Sequence, residues 1–268
     1  MKPLNFKEVN DKKYNIPEIG IGMMGYGFVG KAHSNAYHKM SYMSWPPVAI
    51  PKLTAICGRT EAKVEEAAVR YKYKGYYTDW RDMVKDPNSD LFDNVSSDRM
   101  HYEPTVAAAK EGKHVFCEKP LAVSIDEAEE MLETAAKAGA KHMCGFNYRF
   151  IPAVRLAKNM IDEGKLGKIY QFSGHYFHPF GSDPGEVTDN IWYAGPGHPG
   201  VLYGIGSHLI DIARFLVGEI DTVMGITKNF NPTRFDSGGK KHTILGDECN
   251  AAIFEFAGGA LGSLETSC

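Results

Sequence analysis

The sequence predicts an α/β protein with two domains: a doubly wound parallel sheet, followed by an α+β domain with an open, mostly antiparallel sheet. Three observations lead to this fold class. Apolar segments with strand and helix periods alternate as far as Asn147, a glycine-rich turn joins the first strand to the first helix, and the apolar period shifts towards two after Lys168. We place the domains at residues 15–147 and 148–268.

The first predicted domain consists of strands that alternate with helices. The strands cover residues 19–24, 53–57, 91–95, 114–118 and 142–147. The first helix follows the glycine turn, and apolar spacing places Val29, Ala32, Ala36 and Met40 on its buried face. Later helices cover residues 64–71, 80–84 and 103–110, and a last one begins at a Ser124/Glu127 capping box and ends at Gly139. This alternation implies parallel strands with helical crossovers.

The second predicted domain contains long strands and few helices. A helix over residues 152–163 has proline in its first turn, and one strong helix covers residues 205–217. The strands cover residues 168–178, 222–230, 250–256 and 260–266, the last two joined at Gly258-Gly259.

Composition excludes several classes of protein. A net charge of -3 lacks the basic excess that nucleic-acid binding requires. The chain has no apolar run long enough to cross a bilayer and no signal-peptide core at its start, so we expect no membrane partner. The five cysteines form no C-x-x-C pair, which indicates reduced thiols in the cytoplasm rather than disulfides or a zinc site.

The glycine turn Gly25-Tyr26-Gly27-Phe28-Val29-Gly30 indicates a dinucleotide site. Gly25 permits the tight turn, Gly27 lets the backbone approach a pyrophosphate, and Gly30 allows close helix packing. The helix that follows, beginning near Phe28 and Val29, offers N–H groups and a partial positive charge to the phosphates. A tight turn without a ligand is the alternative reading.

The end of the second strand bears on which dinucleotide binds. NAD-specific folds usually carry an acid there, but this strand ends in Cys57-Gly58-Arg59-Thr60. The fork of Arg59 matches the oxygens of a 2′-phosphate, and Thr60 can donate a hydrogen bond. The sequence therefore favours NADP over NAD, with a solvated loop arginine as the alternative.

Polar residues follow three further strands, and ligands of open α/β sheets bind at the carboxyl ends of strands. These candidates are Ser96, Ser97 and His101 after the fourth strand, Glu118 and Lys119 after the fifth, and Tyr148 and Arg149 after the sixth.

At these residues the chain resembles the glucose-fructose oxidoreductase, inositol dehydrogenase and MocA (Gfo/Idh/MocA) family, over nearly its whole length. The matching motifs are the glycine turn, Glu118-Lys119-Pro120, the segment 145–150 and Gly206-Ser207-His208-Leu209-Ile210-Asp211. The resemblance implies a Rossmann domain that binds NAD or NADP and a second domain that binds a sugar, inositol or polyol.

The resemblance implies catalytic roles for Lys119 and His208. Lys119 would contact the substrate hydroxyl and the cofactor, where an ammonium can stabilise a developing alkoxide. His208 would act as the general base, although the aspartate that the family places four residues earlier is Gly204 here. Asp211 lies one helical turn beyond His208, where it could orient the ring or form a structural bond.

Two departures from the family concern the substrate. Ser96-Ser97-Asp98 replaces the usual Thr-Pro-Asn, and Trp192-Tyr193 stands where many relatives have Trp-Arg. The predicted substrate-binding residues are Lys119, Tyr148, Arg149, Trp192, His208 and Asp211. We predict no metal, since the i, i+3 spacing of His175 and His178 points them to opposite faces of a strand.

The predicted function is therefore an NAD(P)-dependent oxidoreductase that acts on a secondary alcohol. The alternatives are a glycoside hydrolase or lyase that uses NAD transiently, and a non-catalytic nucleotide-binding regulator. The resemblance also implies a homo-oligomer formed through the C-terminal sheet. Members of the family typically continue beyond the position that corresponds to Cys268, so the resemblance implies that this chain is shorter than they are.

Overall fold

The computed structural model describes residues 14–179 and 200–268. It divides into two compact units, the first ending at Cys144 and the second beginning at Gly145. Each helix in the described ranges is too short or too polar to cross a bilayer.

Unit 1 is built on a six-stranded parallel sheet with the order β3-β2-β1-β4-β5-β6. This is the doubly wound order in which the direction of strand addition reverses between β1 and β4. The strands are β1 (Glu18–Met24), β2 (Ile50–Cys57), β3 (Gly75–Tyr77), β4 (Leu91–Asn94), β5 (His114–Cys117) and β6 (His142–Cys144). The parallel sheet confirms the predicted fold class, whereas the short edge strand β3 was not predicted because it has only three residues.

The helices of unit 1 lie between these strands. They are α1 (Phe28–Met43), α2 (Glu61–Tyr71), α3 (Trp80–Met83), α4 (Tyr102–Lys110) and α5 (Ile125–Lys137). Half of the predicted capping box of α5 forms: the Ser124 hydroxyl accepts the Glu127 N–H at 3.2 Å, but the Glu127 carboxylate accepts the N–H of Val123, one residue before the N-cap, at 3.2 Å.

The buried face of α1 is not the predicted one. Ala32 and Ala36 are exposed, and the buried residues of the helix are Gly30 and Ser34, with His33 half-buried beside them. Apolar spacing failed here because polar groups deeper in the unit pair with this face, so its burial does not depend on hydrophobic side chains.

Unit 2 contains a four-stranded mixed sheet with the order β7-β12-β11-β8. Its strands are β7 (Gln171–Phe177), β8 (Ile220–Lys228), β11 (Cys249–Phe256) and β12 (Leu261–Ser267), and a small hairpin joins β9 (Thr233–Phe235) to β10 (Lys241–Thr243). Pairing is antiparallel for β8-β11 and β11-β12 and parallel for β12-β7, which confirms the predicted open, mostly antiparallel sheet. The hairpin was not predicted.

The helices of unit 2 are α6 (Pro152–Asp162) and α7 (Ser207–Leu216). A π-helical turn, Leu202–Gly206, precedes α7, so the predicted helix over 205–217 begins earlier than its apolar pattern indicated. Ala213 of α7 packs into a buried cluster with Phe254, Phe256 and Leu264 of the sheet and with Ala260 in the turn between β11 and β12. This packing fixes the helix that carries His208 against the inner face of the sheet.

Candidate functional site

The glycine turn lies where β1 passes into α1, at the point where the strand order reverses. Gly25 has a φ of +112°, and a Cβ there would lie 2.8 Å from the Val95 carbonyl oxygen that follows β4. A Cβ at Gly30 would lie 2.4 Å from the Gly25 carbonyl oxygen. Both positions therefore require glycine for the close approach of helix and strand.

Gly27 is different, because a Cβ there would meet no atom within 4 Å. The fold itself does not need this glycine. Open space beside the first turn of a helix is what a bound pyrophosphate requires, since backbone N–H groups and the helix dipole both favour an anion there. The turn therefore fits a dinucleotide, with Phe28 exposed and Val29 half-buried at the start of α1.

At the end of β2, Arg59 and Thr60 are both exposed, and Thr60 is the residue that precedes α2. The ring of Tyr26 lies directly over Gly58, where a Cβ would come 2.0 Å from a ring carbon. Tyr26 was not among the predicted site residues. That Arg59 and Thr60 bind a 2′-phosphate stays a prediction.

The loop after β4 is held by hydrogen bonds within unit 1. The Ser96 hydroxyl donates to the Asn94 side chain at 2.5 Å, whereas Ser97 is exposed. His101 is only 1% exposed, and its ring nitrogens lie 2.7 Å from the Pro120 carbonyl oxygen and 3.2 Å from that of Ser96. His101 thus ties the loop after β4 to the loop after β5, and its predicted contact with a cofactor stays a prediction.

Glu118 and Lys119 follow β5, as predicted. One Glu118 oxygen accepts the Lys119 backbone N–H at 3.1 Å, and the Glu118 N–H donates to the Asn94 carbonyl at 2.9 Å. Burial alone would raise the pKa of Glu118, but the hydrogen bond and charge of His33 outweigh it and lower that pKa. Glu118 is therefore an anion beside the half-buried Lys119.

His33 and Asp93 complete this cluster, and the sequence analysis missed both. His33 lies 2.9 Å from the Asp93 carboxylate and 3.2 Å from that of Glu118. Tyr37 also donates to Asp93, at 2.9 Å. A carboxylate within an otherwise apolar strand was the available signal, because a buried charge requires a partner.

In unit 2, His208 lies 7% exposed in α7 and stacks on Tyr148, with 4.1 Å between ring centroids and 14° between ring planes. The Tyr148 hydroxyl lies 3.0 Å from that of Tyr176 on β7. Burial and the hydrogen bond with Tyr176 raise the pKa of Tyr148 to about 12, so this phenol is neutral at ordinary pH. Phe146 meets the same imidazole edge-on at 6.1 Å.

Asp211 and Arg149 form a bidentate ion pair. The guanidinium donates to the two carboxylate oxygens at 2.7 and 2.5 Å and also lies over the Phe215 ring. Of the two roles left open for Asp211, the structure shows this structural bond, which joins the 3₁₀ turn Asn147–Phe150 to α7. Substrate binding by either residue stays a prediction.

Gly204 lies in the π-helical turn one helical turn before His208. It is buried, yet a Cβ there would meet no atom within 4 Å beyond the backbone of its own helix. The turn begins where the Asp247 carboxylate accepts the Leu202 N–H at 3.1 Å. This is the position to which the resemblance assigns an aspartate.

The remaining predicted residue, Trp192, lies outside the described residues, as does Tyr193. Within the described ranges, His, Cys, Asp and Glu side chains form no group suited to a metal ion. The five cysteine thiols are free.

Comparison with known proteins identifies both parts of the chain. Residues 19–146 match the model of the oxidoreductase family with an NAD-binding Rossmann fold, and residues 154–268 match the Gfo/Idh/MocA C-terminal domain. Levoglucosan dehydrogenase of Pseudarthrobacter phenanthrenivorans is 36% identical over 249 residues, which is 88% of this chain and 64% of that protein. The scyllo-inositol 2-dehydrogenase (NAD(+)) of Bacillus subtilis is 29% identical over 86% of this chain and 63% of its own length.

Solved structures agree with these relatives. Levoglucosan dehydrogenase in complex with NADH and L-sorbose superposes with a TM-score of 0.88 at 35% identity, covering 93% of this chain and 67% of that one. The complex with NADH and levoglucosan gives a TM-score of 0.89. The chain spans about 64% of the length of the levoglucosan dehydrogenase it matches. On the two matches along its length, the chain belongs to the Gfo/Idh/MocA oxidoreductase family and carries that family's NAD-binding Rossmann domain.

Proposed function

We propose that the protein is an NAD(P)-dependent dehydrogenase that transfers hydride between nicotinamide and a secondary alcohol carbon of a sugar, inositol or related polyol. The observation that carries this proposal is the similarity, over 93% of the chain, to a dehydrogenase solved with NADH and a sugar. The family motifs Glu118-Lys119-Pro120 and His208 support it from the sequence.

The cofactor would be held by unit 1. Gly27 leaves room for the pyrophosphate beside the first turn of α1, and Ser96 and Ser97 follow the strand next to β1 at the edge where nicotinamide binds in such sheets. When bound, the nicotinamide ring accepts or returns the hydride. Arg59, exposed at the end of β2, supports NADP as the preferred form.

Two residues of the chain would handle the substrate hydroxyl. The Lys119 ammonium donates a hydrogen bond to that oxygen and stabilises the negative charge that develops on it. His208 takes the hydroxyl proton, because a neutral imidazole is a competent base near neutral pH. The stacked ring of Tyr148 fixes the plane of the His208 imidazole and thereby the direction of its nitrogens.

A turnover screen tests the proposal. We expect reduction of NAD or NADP with at least one of levoglucosan, D-xylose, myo-inositol and scyllo-inositol, the substrates of relatives. Lys119→Ala and His208→Asn should each lower kcat by about 10²–10⁴. Lys63→Ala, an exposed lysine of α2, is the matched control and should keep full activity.

The outcomes separate the alternatives. Tight dinucleotide binding with no turnover on any polyol would contradict the proposal and favour a regulator. Substrate cleavage without net cofactor reduction would instead favour a glycoside hydrolase or lyase.

We further propose that the protein forms a homo-oligomer through the outer face of the unit 2 sheet. The register places Met224, Ile226 and Ile253 on that face, and Leu261 lies on it too. All four are more than half exposed. Four large apolar side chains on one open sheet face support burial against a second copy.

We also place the protein in the cytoplasm. The five thiols are free, which is typical of a reducing compartment. Cell fractionation followed by thiol titration of the unfolded protein tests this, and a disulfide in freshly isolated protein would contradict it.

A further inference from the structure

The cluster formed by His33, Asp93 and Glu118 links three elements of unit 1. His33 is on α1, Asp93 is on β4, and Glu118 follows β5. The imidazole uses both nitrogens, with Nδ1 2.9 Å from Asp93 Oδ2 and Nε2 3.2 Å from Glu118 Oε1. Its edge also packs on the Phe116 ring, with 5.3 Å between centroids. The ring is thereby fixed in place from three sides.

A ring that bridges two carboxylates has to carry two protons, because a neutral imidazole has one N–H to donate. Asp93 is fully buried, and its Oδ1 meets no hydrogen-bond donor among the described residues. The buried carboxylate is therefore stabilised through Oδ2, which accepts hydrogen bonds from His33 and Tyr37. Burial would lower the pKa of His33, but the hydrogen bonds and charges of Asp93 and Glu118 raise it to about 10. His33 is therefore a cation throughout the ordinary pH range.

The Glu118 carboxylate connects His33 to the backbone of Lys119. Its Oε1 meets His33, while its other oxygen accepts the Lys119 backbone N–H at 3.1 Å. The carboxylate is thus held between an imidazolium and the amide of the lysine that follows it. Rotation of the Glu118 side chain would break both bonds.

We propose that His33 is a positioning residue that bridges Asp93 and Glu118, clamps the Glu118 carboxylate on the Lys119 amide and so fixes the backbone that presents the Lys119 side chain. The bridge also connects this backbone to α1, the helix that begins at the glycine turn. The inference rests on the proposed function only for its effect on turnover, because the clamp itself is a property of unit 1.

Two measurements test the clamp without any turnover. In the ¹⁵N spectrum of histidine-labelled protein, the His33 ring should keep the shifts of an imidazolium from pH 6 to pH 9. The groups that face it are Asp93, Glu118 and Tyr37, with Tyr73 and Lys119 close to the two carboxylates. A ring that loses its proton near pH 6.5 would overturn the proposal.

The second measurement is hydrogen exchange at the Lys119 amide. His33→Gln and Glu118→Gln should each speed this exchange about tenfold or more relative to amides in the centre of β1, and the double variant should add nothing further. Exchange that is unchanged in His33→Gln, or effects that add in the double variant, would contradict the clamp. His38→Gln, on the exposed side of α1, is the matched control.

Turnover supplies the third readout. His33→Gln should lower kcat about 10–100-fold while the Kd for the dinucleotide changes less than threefold, because the lysine is misplaced and the glycine turn is intact. Removing the cation should also raise the pKa of Glu118, which a carbon-13 titration of that carboxyl would measure. If no polyol is turned over by the wild type, the proposed function fails, and the ring spectrum and exchange still decide the clamp.

Discussion

At the scale of single residues, Gly204 is one of the positions where this chain departs from the pattern of the family, and a Cβ there would meet no described atom within 4 Å beyond the backbone of its own helix. Gly204 lies one helical turn before His208, and the π-helical turn begins where Leu202 donates to the Asp247 carboxylate.

We predict that Gly204→Asp raises the pKa of His208, because a carboxylate one helical turn away favours the imidazolium. The acid limb of the pH–rate profile for alcohol oxidation should move upwards by about one unit. Gly204→Asn has the same shape without the charge and should leave the limb in place. An equal shift in both variants would contradict the electrostatic explanation.

His33 makes a second prediction at this scale, through stability. Its pKa is raised from 6.5 in the unfolded chain to about 10 in the fold, so its protonation stabilises the fold fully below pH 6.5. That contribution is lost as pH rises towards 10. The urea midpoint of the wild type should therefore exceed that of His33→Gln most at pH 6 and least at pH 10. A gap that is constant or grows with pH would contradict a protonated His33.

At the scale of elements, the three glycines of the turn are not equivalent. Gly25 and Gly30 are required by contacts within the fold, whereas nothing in the described structure occupies the space that a Cβ on Gly27 would take. The motif thus combines two structural positions with one that is open to a ligand.

Substitution separates these roles. We predict that Gly27→Ala leaves thermal stability within a few degrees but weakens NADH or NADPH binding tenfold or more, because the methyl group occupies the pyrophosphate space. Gly30→Ala should instead lower the free energy of unfolding by about 1–3 kcal/mol, since α1 must move away from Gly25. Calorimetry and cofactor fluorescence measure the two effects. Unchanged affinity in a folded Gly27→Ala protein would place the pyrophosphate elsewhere.

Some of the helices and strands could be predicted from the sequence, and others could not. Strand and helix periods predicted the sheet of unit 1 and the switch of fold type in unit 2, because both depend on which face meets a core. The inner face of α1 was missed, because His33 is buried against carboxylates and hydrophobic spacing carries no information about such pairs. Short strands such as β3 were missed because three residues show no period.

Some residues of the candidate site could also be predicted from the sequence, and others could not. Motif residues such as Lys119 and His208 could be named from the sequence, since their neighbours in the chain identify them. Tyr26, Asp93 and the stacking of Tyr148 on His208 could not, because these contacts join residues far apart in the sequence.

At the scale of the whole molecule, the outer face of the unit 2 sheet is the feature that bears on assembly. We predict that Met224→Asp shifts the protein to a smaller species in light scattering after size exclusion, since the charge would be desolvated in an interface. Val69→Asp, an equally exposed apolar position on α2 of unit 1, is the control. A monomeric wild type, or an assembly that survives Met224→Asp, would contradict the proposed interface.

The ring of Tyr26 over Gly58 determines where cofactor preference can be redesigned. A carboxylate placed at position 58 would have to displace that ring and disturb the glycine turn from which it comes. Position 59 is exposed and free of this constraint, so an acid introduced there could meet a ribose diol while the turn keeps its shape. We therefore expect that Arg59→Asp would shift preference towards NAD while the glycine turn stays unchanged.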